Sequence, residues 1–186
     1  MILHAAIDFF ALHGFSASTR DLARGMGISV SLIHRYFATK EALIATVYDA
    51  VYSSRYDKAW LEILQDGSVA LRDRLLRFYS AYLAAVDDEK WVRIALYSGL
   101  SGTGLGKRYL ESYVSQFIEA IATQLRRERG SKTSGPVSEA EVARAWVLHS
   151  ALMYFLIRKH VHGLPGSTEL TIEVAVDTFL AGALAA

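Results

Sequence analysis

Apolar residues recur three and four positions apart through most of this chain, and no stretch replaces that spacing with a sustained apolar–polar alternation. Such periodicity marks amphipathic helices, so the expected class is all-α. The first helix runs over residues 2–13, with Leu3, Ala6, Ile7 and Phe10 as its inward stripe and Gly14 as its stop. Ser18 caps a second helix, and Asp21 takes the capping-box place usually held by Glu or Gln. Ser29 opens a third, with Ile33 and Phe37 turned inward, and Thr39 opens a fourth. The fourth continues through Leu43, Val47, Tyr48 and Val51 towards Leu64 and closes at the stretch 65–68. Further helices are expected over 69–86, 90–98, 107–129, 139–160 and 169–184, with loops over 99–106, 130–136 and 163–167. That makes about nine helices in all.

The stretch 18–37 organises the rest. Ala23 is small enough in mid-helix to let a second helix cross closely, and Gly27 can adopt the left-handed backbone that ends the first of the pair. Ile28 and Ile33 then lock the two helices against Leu22 and Ala23. Two short helices across a glycine turn have the shape of a helix-turn-helix, whose second helix lies in the DNA major groove. The outer side of that helix presents Val30, Ser31, His34 and Arg35, with Leu32 at the margin. Small Ser31 permits close approach to the groove, Val30 and Leu32 suit thymine methyl groups, and Arg35 suits guanine or a phosphate. At the start of the preceding helix, free N–H groups and the Thr19 hydroxyl suit a phosphate, and Arg20 can reach a phosphate or a base edge. The bland alternative is an amphipathic pair with solvated polar residues. The domains expected are a helix-turn-helix domain over 1–48 and a second helical domain over 49–186, joined by the long fourth helix.

The runs Ile2 to Phe15, Thr19 to Phe37 and Tyr36 to Leu43 together resemble the amino-terminal domain of the tetracycline-repressor (TetR) family of transcriptional regulators. The resemblance covers the first quarter of the chain; beyond it only the general plan of a helical carboxyl-terminal domain matches. It implies that Ser29, Val30, Ser31, His34, Arg35, Tyr36 and Lys40 face DNA. It also implies a cytoplasmic homodimer that releases DNA when a small molecule enters the second domain. Three positions depart from the family pattern: Val30 stands where Lys is common, Ser31 where Gly is common and His34 where Tyr is common. These changes should alter operator preference and weaken the grip on phosphates. Family members also carry basic residues ahead of the first helix, none of which lie within this sequence, and the 15–18 link is shorter than usual.

Composition adds limits more than direction. The chain has 186 residues, 52% of them apolar and 21% charged, enough for one or two small domains with a substantial core. Net charge is only +1, so overall charge does not announce a nucleic-acid binder. Locally, Arg20, Arg24, Arg35 and Lys40 outweigh Asp21. The absence of cysteine excludes disulfides, thiol catalysis and thiolate metal sites. Asp8 interrupts the apolar start and no basic segment precedes it, which argues against a secretory signal. The apolar run 145–157 is too short to span a bilayer and contains His149, so it reads as a core helix.

Candidate chemistry is thin. The glycine-rich stretch 99–107 fails as a phosphate loop, with Ser101 where a glycine is needed and Arg108 where Ser or Thr is needed. The histidines, including His160 and His162, form no metal-binding pattern; the latter two suit the carbonyls of a helix end. No nucleophile–base pair stands out, so neither an enzyme nor a cofactor is expected. In the second domain, Trp91, Tyr97, Tyr113, Phe117, Trp146, His149, Met153 and Tyr154 suit a pocket with apolar walls and few polar anchors, although for any one of them core packing is the commoner role. The last two helices carry more apolar surface than a small domain needs and are expected to form a four-helix dimer bundle. The resulting expectation is a homodimeric repressor of a palindromic double-stranded DNA operator, released by a small organic effector. The alternative is a helical ligand carrier or protein-interaction module whose DNA reader is non-functional.

Overall fold

In a computed structural model, which describes residues 1–131 and 135–185, the Ser and Thr residues marked as helix starts near the amino terminus all cap. Ser18 Oγ accepts from the Asp21 amide, Ser29 Oγ from Leu32 and Thr39 Oγ1 from Ala42, at 3.2, 3.3 and 3.1 Å. They open α2 (Thr19–Met26), α3 (Val30–Tyr36) and α4 (Lys40–Val51), which follow α1 (Ile2–His13). After them come α5 (Ala59–Gln65), α6 (Leu71–Val86), α7 (Glu89–Leu100), α8 (Leu105–Tyr109), α9 (Ser115–Glu128), α10 (Glu139–His160) and α11 (Thr168–Ala185). A π-helical segment, Leu110–Val114, joins α8 to α9. The class is all-α, with no strand among the described residues. The middle of the expected 130–136 loop lies outside the described residues.

One expected element is broken. The helix expected from Thr39 to Leu64 stops at Val51, turns through a 3-10 segment, Ser53–Arg55, and resumes as α5. The cause is local polar competition for the backbone. Ser54 Oγ donates to the Ala50 carbonyl at 2.6 Å, and Asp57 Oδ1 accepts from the Ala59 amide at 2.9 Å to start a new helix. Long-range anchoring adds to this, because Tyr52 donates to the Trp91 carbonyl at 2.8 Å.

The chain forms two compact units. The first comprises Met1–Tyr56 with Asp88–Tyr109, so it contains the expected 1–48 domain and adds a later segment of chain. That segment is held at both ends of the bundle. Lys90 pairs with Asp8, and Arg93 donates to the carbonyls of Ala11 and Leu12, which the end of α1 would otherwise leave unsatisfied. Tyr48 donates to the Leu105 carbonyl at 2.6 Å, and its ring stacks on Tyr52 at 4.5 Å. Burial pushes both phenols above their usual range, so they remain protonated donors.

The second unit comprises Asp57–Asp87 and Leu110–Ala186. Leu75, Phe78, Tyr79 and Tyr82 of α6, Phe117 and Ile121 of α9, and Leu148, Leu152 and Phe155 of α10 make its core. Buried Arg74 bridges three elements, donating to the Leu64 carbonyl at 3.0 Å and Gln124 Oε1 at 2.8 Å and pairing with Glu128 at 3.4 Å. Ser138 and Glu141 form a full capping box at the start of α10. At 22 residues α10 is, on length and composition, able to cross a membrane, which the shorter apolar run 145–157 did not suggest. One of its faces is nevertheless core, through Ala145, Leu148, Leu152 and Leu156. His160, expected near terminal carbonyls, instead meets Asp87 Oδ1 at 2.6 Å.

Two glycines should respond in opposite ways to substitution. Gly14 has φ 74° and ψ 173°, and an added Cβ would sit 3.0 Å from the Tyr97 ring. Gly14→Ala is expected to lower unfolding free energy by ~2 kcal/mol or more, since that backbone region alone costs a non-glycine residue ~1–3 kcal/mol. Gly25 is helical, with nothing within 4 Å of an added Cβ, so Gly25→Ala should stabilise by ~0.5–1 kcal/mol. Urea unfolding of the two variants checks both signs.

Candidate nucleic-acid interface

The corner between α2 and α3 is set by Gly27 at φ 64° and ψ 29°. The Ile28 amide donates back to the Ala23 carbonyl at 3.0 Å, closing the last turn of α2 in a Schellman-type stop. Leu22, Ala23 and Ile33 are each 1% exposed, so the two helices share a dry contact. Ile28 is half-buried beside it, and Phe37, expected to face inward, is half-buried at the C-cap of α3. With Ile33 fixed inward, Ser31, His34 and Arg35 turn outward at i, i+3 and i+4 spacing, and Tyr36 beside them is 66% exposed. Val30 and Leu32 are half-buried at the margins. The Ser29 and Ser31 hydroxyls bond each other at 2.9 Å, so each already uses part of its hydrogen-bonding capacity.

At the start of α2, Thr19 is half-buried and Arg20 exposed. Asp21 does not complete a capping box. Its carboxylate takes the Ser18 hydroxyl at 2.6 Å, whereas the Glu141 carboxylate, one methylene longer, reaches back to the Ser138 amide at 2.7 Å. Asp21 also pairs with Arg24 at 2.8 Å. Arg20 and Arg35 form no ion pair among the described residues and remain the uncommitted cations of the face. Lys40 Nζ donates to the Ser16 carbonyl at 3.2 Å, which pins the link ahead of α2 and leaves the ammonium two further donors.

The aromatic candidates are divided between the units. Trp91 is buried in the first, and Tyr97 is half-buried against Gly14 there. In the second, Tyr113 and Met153 are half-buried and Tyr154 is 57% exposed. Phe117, Trp146 and His149 do come together, linked through Tyr82: its ring lies 5.8 Å from Phe117 and 5.7 Å from His149, which is 5.6 Å from Trp146. Trp60, Phe78 and Tyr79 join this cluster and had not been singled out. The spacing of Phe78, Tyr79 and Tyr82 on one helix was the available signal, but it is equally the signal of ordinary core. No group of three potential metal ligands occurs among the described residues.

Residues 2–47 match the family described as bacterial regulatory proteins, tetR family. The solved structure of a TetR-family regulator from Mesorhizobium loti matches over 97% of this chain and 94% of its own, with a TM-score of 0.66 at 20% identity. A TetR-family regulator from Pseudomonas syringae pv. tomato matches over 97% and 93%, with a TM-score of 0.67 at 18% identity. The amino-terminal domain thus matches the tetR family over residues 2–47, and the chain has the fold of these TetR-family regulators. The flavonoid-responsive regulator FrrA shares the fold over 97% of this chain and 94% of its own, with a TM-score of 0.59 at 25% identity. That match and fold support a DNA-binding transcriptional regulator, and the matched residues include the Gly27 corner and α3.

The cap of α2 should be visible in its titration. The Ser18 hydroxyl first, and the Arg24 guanidinium after it, hold the Asp21 carboxyl below its ordinary range. A depressed folded-state value means that this contribution is present above the unfolded value and lost as pH falls through the folded one. Ser18→Ala is expected to return Asp21 towards the usual carboxylate range, read by NMR of its carboxyl carbon, and to cost ~1 kcal/mol of stability through the lost cap.

Proposed function

We propose that the protein is a homodimeric, cytoplasmic transcriptional repressor that reads a palindromic operator and is released by a small organic effector bound in the second unit. The observation that carries the reading is the outward face of α3, dry beneath and polar above, flanked by two unpaired arginines. Arg35, Ser31 and His34 read base edges with Val30 and Leu32, while Arg20, Thr19, Ser29, Tyr36 and Lys40 hold the backbone. Lys40 keeps the Ser16 link in place while its remaining donors meet a phosphate. No catalytic residue, metal or cofactor has a part in this scheme.

Dimerisation is assigned to α10 and α11. Their outer faces form an open groove of about 680 Å³ lined by Val147, Leu148, Ala151, Leu170, Val174 and Phe179. Val147, Leu170 and Val174 are 64%, 59% and 55% exposed, an apolar surface that a second copy would cover as a four-helix bundle. The length and apolar character of α10 then serve a protein interface and not a bilayer. Small-molecule control is supported by the polar atoms buried in the second unit and, by likeness of fold, by the flavonoid response of FrrA.

The deciding experiment is a gel-shift titration with DNA from upstream of the protein's own gene at several salt concentrations. Binding that weakens steeply with salt is expected, and Arg35→Ala and Arg20→Ala should each weaken it and lower the salt slope by ~1. No salt-sensitive binding would leave the ligand-carrier alternative. For assembly, light scattering should give the mass of two chains, and Val174→Asp should shift it towards one.

A further inference from the structure

Among the described residues, four buried side-chain polar atoms have no hydrogen-bond partner, and two of them belong to one aromatic cluster. They are the Tyr79 hydroxyl on α6 and His149 Nδ1 on α10, in residues 0% and 2% exposed, with ring centroids 6.2 Å apart. Both groups are strong hydrogen-bonding groups removed from water, and neither recovers a partner from the protein. Other polar side chains of the same unit do find partners, although the Nε of Arg74 is also unpaired. Arg74 has Leu64, Gln124 and Glu128, and His160 has Asp87. Of the four unpaired atoms, these two lie together, among aromatic rings.

We propose that Tyr79 and His149 are the polar anchors of the effector site, and that the effector is an uncharged aromatic molecule carrying a hydroxyl or carbonyl group. The assignment rests on the effector control put forward above and names the chemistry of that site. Flat rings surround the pair: Tyr82 and Trp146 lie 5.7 and 5.6 Å from His149, and Phe78 lies 4.7 Å from Tyr79. A planar ligand would replace ring-on-ring packing with the same kind of contact. Arg74, on the same helix as Tyr79, is already engaged through its carbonyl, amide and carboxylate partners. Burial favours the neutral form of both anchors, raising the Tyr79 phenol and lowering His149 to about 4. A phenol can donate to one anchor and accept from the other, and a carbonyl can accept from Tyr79, whereas an anion would lose its hydration without meeting a free cation. The cluster is closed around its own rings, so a ligand has to part α6 from α10 to bind. That displacement supplies the differential affinity a population shift requires.

The test uses the full-length protein and a matched pair of probes, 1-naphthol and 1-naphthoate, read by quenching of tryptophan fluorescence, since Trp146 lies beside His149. Quenching by 1-naphthol at least about tenfold tighter than by 1-naphthoate is expected, together with about a tenfold loss of 1-naphthol affinity in Tyr79→Phe, the size of one buried hydrogen bond. His149→Leu gives an independent loss, and circular dichroism with thermal unfolding establishes that each variant is folded. No saturable 1-naphthol binding, equal or tighter 1-naphthoate binding, or unchanged affinity in both folded variants overturns the proposal. Operator release by 1-naphthol is scored separately in the unsubstituted protein. Anchor-dependent binding without release supports the anchors and refutes effector control through them.

Discussion

A single left-handed residue, Gly27 at φ 64°, decides whether α3 packs on α2 with its polar side outward. Its turn brings α2 and α3 together so that Leu22, Ala23 and Ile33 bury against one another. Only with Ile33 inward does the opposite side of α3 present Ser31, His34 and Arg35. The constraint is purely one of backbone, because nothing lies within 4 Å of where a Cβ at Gly27 would stand. Gly14 carries the other kind: there the backbone region and the Tyr97 ring both exclude a side chain. Both glycines end helices of the first unit, α1 and α2, and both keep the chain short between helices that pack together.

Local chemistry was legible in the sequence because it is written within four residues. The caps at Ser18, Ser29 and Thr39, the stop at Gly27, and α10 at its full 139–160 extent follow from nearest neighbours along the chain. Family likeness over residues 2–47 then supplied the DNA-binding assignment, which the modest net charge alone would not have suggested. What depends on distant partners was hidden. Apolar periodicity runs on past Val51, but the helix breaks there, where the local competition of Ser54 and Asp57 is joined by a Tyr52 bond to a carbonyl 39 positions away. Likewise α7 looks like any amphipathic helix of the second half, yet Arg93 reaches carbonyls more than eighty positions back and draws it into the first unit. The aromatic candidates were picked by residue type, and type does not say which unit a ring will join. Hence Trp91 and Tyr97 part company with Phe117, Trp146 and His149.

Polar burial in the second unit follows two regimes. Arg74, Lys159 and His160 are tied to partners and hold helix ends in register. Removing one partner from such a set costs more than the bond is worth, because the survivor is left buried and unpaired. Tyr79 and His149 already stand in that unsatisfied condition. The core therefore carries two such costs side by side where α6 meets α10.

Residues 87 and 88 are neighbours in sequence but belong to different units. Asp87 belongs to the second, where Lys159, His160 and Thr168 all bond its carboxylate. Burial works to raise that carboxyl, but these three donors outweigh it and keep it ionised. Asp88, the next residue, belongs to the first unit and caps α7 by accepting from the Trp91 amide at 2.8 Å, with Arg55 at 3.6 Å. Two successive carboxylates are therefore anchored in different units, with one peptide bond between them. Within the first unit, α7 is in turn bonded to the end of α1 through Arg93, so the helix that Asp88 caps also satisfies carbonyls that α1 leaves open.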